Sequence, residues 1–263
     1  MAEFHRYCNL ELANTPAQLD DVYRIRYRVY CEEFGYEQRE NHPRGLESDE
    51  FDAFSRHTLV THSATGVPAG CARLVLADED RLLPLEHFCG SALDQEILRS
   101  FEGRRDTICE FSRLGVDGVF RRRTGEKISR FGDIHGIDWS KLEQHKFSSQ
   151  LAMATILSGL ALSEVLERTH CFAMMEPFLP RLLSRSGLIV HKAGDEIDYH
   201  GLRRPYCWET REMVSGLVDE LQEFYLHIRQ SFEENQPVLA ELNTTSAGLP
   251  DVRIGASPLA GVS

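Results

Sequence analysis

Between Cys109 and Asp117 the chain reads Cys-Glu-Phe-Ser-Arg-Leu-Gly-Val-Asp, alternating apolar and polar residues like a half-buried β-strand. Glu110 and Arg113 stand three residues apart in it. Successive strand side chains point to opposite faces, so on a regular strand these two cannot share one. A bulge, bend or strand end at Ser112 would bring both to the same cleft. Without such a break the pair is ordinary surface charge, with the Glu solvated on one side and the Arg on the other. The other polar residues of the chain decide between these readings.

Residues 3–12 predict an opening strand. Thr15-Pro16-Ala17-Gln18 is a helix start, with Thr as N-cap, Pro in the first turn and Gln three residues after the cap. This helix is expected to run to about Phe34 and stop at Gly35. Leu19, Val22, Tyr23, Arg26, Val29 and Tyr30 follow helical spacing, which puts Arg26 on or beside the apolar stripe. There its guanidinium either snorkels outward or needs carboxylate partners. A polar, aperiodic loop over residues 37–50 leads into Ser48-Asp49-Glu50-Phe51-Asp52. Residues 57–63 and 70–77 then read as a hairpin around the turn 64–68, with Arg73 interrupting its second strand.

Residues 82–98 mix helix and loop. Residues 118–147 show no period, contain Gly118, Gly125, Gly132 and Gly136, and predict a long loop or insertion. The strongest helix signal spans 147–168 through Leu151, Ala154, Leu157, Leu160, Ala161 and Val165. Residues 171–175 follow as a buried strand, 177–186 as a short helix closed by Gly187, and 188–190 and 197–200 as the last strands. An acidic amphipathic helix over 209–234 and a flexible tail over 235–263, rich in Gly, Pro, Ser and Thr, complete the chain. This order predicts an α/β domain over residues 1–208, a mixed twisted sheet with helices on both faces, followed by the C-terminal helix and tail.

At 263 residues the chain is long enough to bury a full core. Its seven cysteines are scattered with no C-x-x-C pair, which argues for reduced thiols rather than disulfides or a zinc knuckle. His170, His191 and His200 fit no common metal spacing, so no metal is expected. No apolar run has membrane-spanning length, and the first residues lack the basic-then-apolar layout of a secretory signal. Both features predict a cytoplasmic protein without stable membrane insertion. A formal charge of −12 argues against nucleic acid as a partner. Arg104-Arg105, Arg121-Arg122-Arg123 and Arg203-Arg204 are basic islands that either stay solvated or steer an acidic partner or a phosphate.

Taken in order, the polar residues in unexpected places are Arg26, Asp49, Asp52, Arg73, Glu110 and Arg113, with Tyr30 and Tyr36 nearby. Three Arg and three acids suit a buried ion network with no catalytic task, and they equally suit a cleft needing a base and anion clamps. The grouped segments Arg26-Tyr27-Arg28-Val29-Tyr30 with Gly35-Tyr36, Asp49-x-Phe51-Asp52-Ala53, Gly70-Cys71-Ala72-Arg73-Leu74 and Glu110-Phe111-Ser112-Arg113 resemble the signature of acyl-homoserine-lactone (autoinducer) synthases. The resemblance covers roughly residues 20–117. Met175-Glu176-Pro177 through Gly187-Leu188, and Tyr199-His200-Gly201-Leu202-Arg203-Arg204-Pro205-Tyr206, are more similar to acyltransferases associated with exosortase/PEP-CTERM systems and to long-chain N-acyl amino acid synthases.

These relatives share the GNAT-type N-acyltransferase fold, so the resemblance implies transfer of an acyl group from a thioester on acyl carrier protein to an amine. The family's signature positions map onto Arg26, Asp49, Asp52, Arg73, Glu110 and Arg113. Its two aromatic positions, usually Phe and Trp, are Tyr30 and Tyr36 here, which favours plain N-acylation of a small-molecule amine over lactone formation. Glu110 suits a general base. Backbone N–H groups near residues 111–115 suit an oxyanion, which places Phe111, Ser112 and Leu114 at the substrate. Met174 and Phe178, with Phe172 and Met175, are candidates for an acyl-chain lining, and simple core is the alternative for them. Arg121-Arg122-Arg123-Thr124-Gly125-Glu126 is only a degenerate pyrophosphate loop. That favours the acyl-phosphopantetheine of a carrier protein as donor over acyl-coenzyme A, with these three Arg as carrier or phosphate contacts.

Overall fold

The computed structural model describes residues 8–121 and 144–234. Residues 3–7, most of the predicted insertion with Arg122 and Arg123, and the tail from Asn235 lie outside the described residues. Of Arg121 only the backbone is described, as the end of a short helix.

The elements run β1 (Cys8–Leu12), α1 (Pro16–Arg26), β2 (Ser55–His62), β3 (Pro68–Leu76), α2 (Pro84–Cys89), α3 (Gln95–Arg99), β4 (Ile108–Val116), α4 (Gly118–Arg121), α5 (Gln144–Val165), β5 (His170–Met175), α6 (Leu179–Leu183), β6 (His191–Lys192), β7 (Ile197–Asp198), β8 (Leu202–Glu209), α7 (Thr210–Ser215) and α8 (Asp219–Glu234). The strands form one sheet in the order β1-β2-β3-β4-β5-β8-β6, with β7 paired to β8. Neighbours are antiparallel except β4 and β5, which are parallel.

Alternation along the strands separates two faces. Val60, Leu74, Cys109 and Val116 pack with Leu151, Leu157 and Ala161 of α5. Leu59 and Cys71 pack on the other face against Val22, Ile25 and Val29 of the first helix. Helices therefore cover both faces, as the sequence predicts.

Thr15 caps α1 with a capping box to Gln18, and Pro16 opens its first turn. The helix does not continue regularly to Phe34. Tyr27–Glu33 widens into a π-helical stretch, in which the Phe34 N–H reaches the Val29 carbonyl at 3.1 Å. Such widened turns recur at functional sites. Gly35 then turns the chain at φ +63°.

Further elements differ from the sequence prediction, and the strand expected at 188–190 forms instead at His191–Lys192. Residues 202–209 form a full strand lying between β5 and β6. Pro205 hides it, because a proline ordinarily demotes a run to a sheet edge. Here Pro205 sits opposite Met174, and its carbonyl still accepts the Ala193 N–H at 2.9 Å. The C-terminal helix over 209–234 is broken into α7 and α8 at Gly216. Gly187 and Gly216 approach so closely that a Cβ on Gly187 would sit 1.8 Å from the Gly216 carbonyl oxygen. Leu221, Phe224, Tyr225, Ile228 and Phe232 of α8 join the core on the α5 face.

Candidate active site

Opposite Cys71 and Arg73 of β3, strand β4 supplies Gly115 and Ser112, so β4 carries one residue more than its partner. That extra residue makes a bulge, and within it Arg113 adopts a left-handed backbone at φ 49°. The break lets Ser112 and Arg113 both turn to the face that already carries Glu110 and Arg73. Arg73 donates from Nε to the Ser112 hydroxyl at 3.0 Å. The bulge at Ser112 that would unite Glu110 and Arg113 in one cleft is present.

A buried ion network fills the space between this face and the first helix. Arg26, fully buried, donates to Glu47 and, at 2.6 Å, to Asp52. Arg73 donates to Asp49 at 2.5 Å and to Asp52 at 3.0 Å. Arg113 donates to Glu37 at 2.8 Å, Glu47 at 3.1 Å and Asp49 at 3.3 Å. The two aspartates are held by local geometry: Asp49 caps the short helical turn Glu50–Phe54, and Asp52 accepts the Asp49 N–H at 2.8 Å.

Burial alone would raise the Glu47 carboxyl, yet Arg26 and Arg113 hold it down at about 2. Burial likewise opposes ionisation of Asp52, and Arg26 and Arg73 hold it far below the carboxylate range. His57 faces Arg73 across β2 and β3, 3.6 Å from Asp52. Burial lowers it to about 3, with Arg26 and Arg73 reinforcing and Asp52 opposing the shift, so it is neutral. Burial raises Glu37, against the pull of Arg113.

Glu110 behaves differently. It is buried at the last residue pairing β4 with β5, and its carboxylate makes no ion pair with these arginines. Burial pushes its pKa up to about 8, while the Leu85 N–H, donating to Oε2 at 2.7 Å, and the more distant Arg73 and Arg113 restrain the rise. A carboxyl poised near neutrality beside a cavity has the acidity a proton-transfer group needs.

The cavity exists because β4 and β5 pair only from Ile108–His170 to Glu110–Phe172. Beyond that point β4 keeps β3 as its partner and β5 keeps β8, so the sheet splits. One end of the cavity is polar, lined by Glu37, Asp49, Arg73, Glu110, Ser112 and Arg113 with Tyr30 and Tyr36. The other is apolar, lined by Phe111, Ile156, Leu160, Met175, Leu183 and Trp208 among others. Glu110 and Met174 face the ion network, whereas Phe111 and Met175 face α5, so the cavity passes through the split from one face to the other.

Of the residues singled out from sequence, Tyr30, Tyr36, Asp49, Arg73, Glu110, Phe111, Ser112, Arg113, Leu114 and Met174 line this cavity. Arg26 and Asp52 sit behind it. Tyr30 donates its hydroxyl to the Leu114 carbonyl at 3.0 Å, and its ring lies under Arg113, 5.2 Å from centroid to guanidinium. Phe172 is core beneath the site rather than lining. Phe178 lies outside the cavity, about half exposed at the start of α6, because the chain has already turned away from β5 there. Sequence reading missed Glu37, Glu47 and His57, and also Tyr199, His200 and Arg203 on the cavity wall. Arg203 lies over the Tyr36 ring at 5.5 Å, and the Tyr36 and His200 rings are 5.3 Å apart. Among the described residues no cluster of His, Cys, Asp and Glu could hold a metal, and no helix is long and apolar enough to cross a membrane.

Residues 25–129 match the family model described as an acetyltransferase (GNAT) domain, a stretch that contains all six signature positions. No curated protein matches the sequence. Among solved structures the chain is similar to TofI, in a ternary complex with an inhibitor and MTA, at 19% identity and a TM-score of 0.53, covering 82% of this chain and 99% of that one. It is similar to FeeM, an N-acyl amino acid synthase from uncultured soil microbes, at 14% identity and a TM-score of 0.51, covering 82% and 97%. MesI, a CoA-dependent acyl-homoserine lactone synthase, aligns at 18% identity and a TM-score of 0.52, covering 85% and 95%. Residues 25–129 thus match a GNAT acetyltransferase domain, and the chain shares its fold with TofI, FeeM and MesI.

Proposed function

We propose that the protein is an acyltransferase that moves a long-chain fatty acyl group from a carrier-protein thioester to the amine of an amino acid or a related small molecule. The observation that carries the reading is Glu110: a buried carboxyl with a pKa near 8, placed where a polar pocket meets an apolar channel through the split sheet. Three guanidinium charges face the four carboxylates Glu37, Glu47, Asp49 and Asp52, of which Glu37 and Asp49 line the cavity, a net acidic surrounding that suits an incoming ammonium.

In the reaction, Glu110 takes a proton from the ammonium, directly or through a water, and the freed amine attacks the thioester carbonyl. Backbone N–H groups of β4 beyond the last β5 pair hold the tetrahedral oxyanion. As the intermediate collapses, the C–S bond breaks, the leaving thiolate takes the proton held by Glu110, the attacking nitrogen gives up its second proton to water, and an amide and a free pantetheine thiol remain. Arg26 and Asp52 from behind the cavity, and Arg73 on its wall, keep the acids and Arg113 in register, while Arg113 and Asp49 meet the acceptor. The sequence Arg121-Arg122-Arg123-Thr124-Gly125-Glu126, only a degenerate match to a pyrophosphate-binding turn, supports a carrier protein as donor.

Autoinducer synthesis is the second reading, and similarity in fold to MesI favours it. Tyr30 and Tyr36 in place of the usual Phe and Trp favour the first. Thiol release from long-chain acyl carrier protein and from the matching acyl-coenzyme A, measured against a panel of amino acids and S-adenosylmethionine, separates them. Mass spectrometry of the products should show acyl amides of one or a few amino acids. An acyl lactone from S-adenosylmethionine would establish the second reading, and no thiol release with any pair would overturn both.

A further inference from the structure

Gly159 lies in the middle of α5, where a glycine costs about 1 kcal/mol relative to alanine. Its surroundings explain it. A Cβ at this position would fall 1.6 Å from Cε2 of Phe111 and 2.6 Å from both Cδ2 and Cζ, so the ring points its Cε2 edge into the space left open on the helix. Phe111 is the first β4 residue beyond the last pair with β5, and its ring also meets Trp208 edge-on with centroids 6.5 Å apart. Ile156 and Leu160, three residues before and one after Gly159, line the apolar channel together with Phe111 and Trp208. The missing side chain at 159 is therefore the space that keeps the Phe111 ring out of the channel.

We propose that Gly159 and Phe111 together set how long an acyl chain the channel accepts. Any side chain at 159 pushes the ring off α5 toward Trp208 and into the path of the chain, and the carbons farthest from the thioester are excluded first. The inference rests on the acyl-channel reading and deepens it.

The test compares Gly159→Ala, Phe111→Ala and the double variant with the wild type, using four-, eight-, twelve- and sixteen-carbon acyl thioesters. The readouts are the long-to-short ratio of kcat/KM and equilibrium binding of the same acyl groups. The expected result is a fall of roughly tenfold or more in that ratio for Gly159→Ala, the scale on which pockets discriminate by a methylene or two, with recovery in the double variant. A ratio unchanged in Gly159→Ala, or lost equally in the double variant, overturns the proposal. Should Gly159→Ala not fold, Phe111→Ala decides: the ratio should rise, and an unchanged ratio overturns it. Length-dependent transfer by the wild type with no change in the variants sinks the ruler alone. A wild type that neither binds nor transfers any of the thioesters sinks the channel reading and the ruler with it.

Discussion

Glu110 accepts the backbone N–H of Leu85 at 2.7 Å from the last of the three positions at which β4 and β5 pair. A single backbone donor does not offset the burial of a carboxylate, and so the group stays protonated up to about pH 8. The fold holds an acid there at the expense of its own stability.

That cost is measurable. A carboxyl whose folded pKa lies above its unfolded value binds its proton more tightly in the native state, so its contribution is full below about pH 4.5 and is lost as pH rises through 8. The shift corresponds to at most roughly 5 kcal/mol. Glu110→Gln, which keeps an acceptor for the Leu85 N–H, should match the wild type near pH 4.5 and exceed its Tm by about 5–10 °C at pH 9. Thermal unfolding followed across this range checks it, and a constant difference at all pH values would contradict the assignment.

Arg26 donates to Glu47 and Asp52 with no exposure to solvent. Removing one member of a buried ion network leaves the others uncompensated, at about 3–5 kcal/mol. Arg26→Ala and Glu47→Ala should both lower stability by that amount in urea unfolding. Substitution of Arg28, whose partner is Asp117 at the edge of this region and which is about a third exposed, should cost under about 1 kcal/mol.

His57 stays neutral in the fold, with its pKa lowered to about 3 chiefly by burial. A histidine depressed in this way supports stability fully above pH 6.5, and that support is lost as pH falls toward 3. Glu47, held at about 2, adds its own loss below about pH 4.5. His57→Phe keeps a ring against Tyr23 and removes the titration. Its stability should therefore decline less than that of the wild type between pH 6.5 and 5, as read from urea midpoints.

The strand at 109–117 revealed both the break in the sheet and the two residues that depend on it, because its alternation fails where charge appears. Arg26 and Arg73 were legible for a similar reason: each interrupts an apolar run, and a buried guanidinium must find acids. Glu37 and Glu47 gave no such signal. They lie in a polar loop where acids are ordinary, and only the fold of residues 36–49 over the first helix carries them inward. His57 reads as one more polar residue in a hairpin strand. The strand at 202–209 was hidden by Arg203-Arg204-Pro205, and with it the cavity wall formed by Tyr199, His200 and Arg203.

The most direct measurement is the rate of acyl-amide formation by wild type and Glu110→Gln, from acyl carrier protein and the preferred amine, across pH 6 to 10. The wild-type kcat/KM should rise with pH and level off above about 8, once Glu110 is ionised in the free enzyme. Glu110→Gln should be slower by roughly 10²–10⁴-fold, the usual contribution of a positioned base. A Glu110→Gln protein that forms the amide at the wild-type rate would contradict the account at its centre.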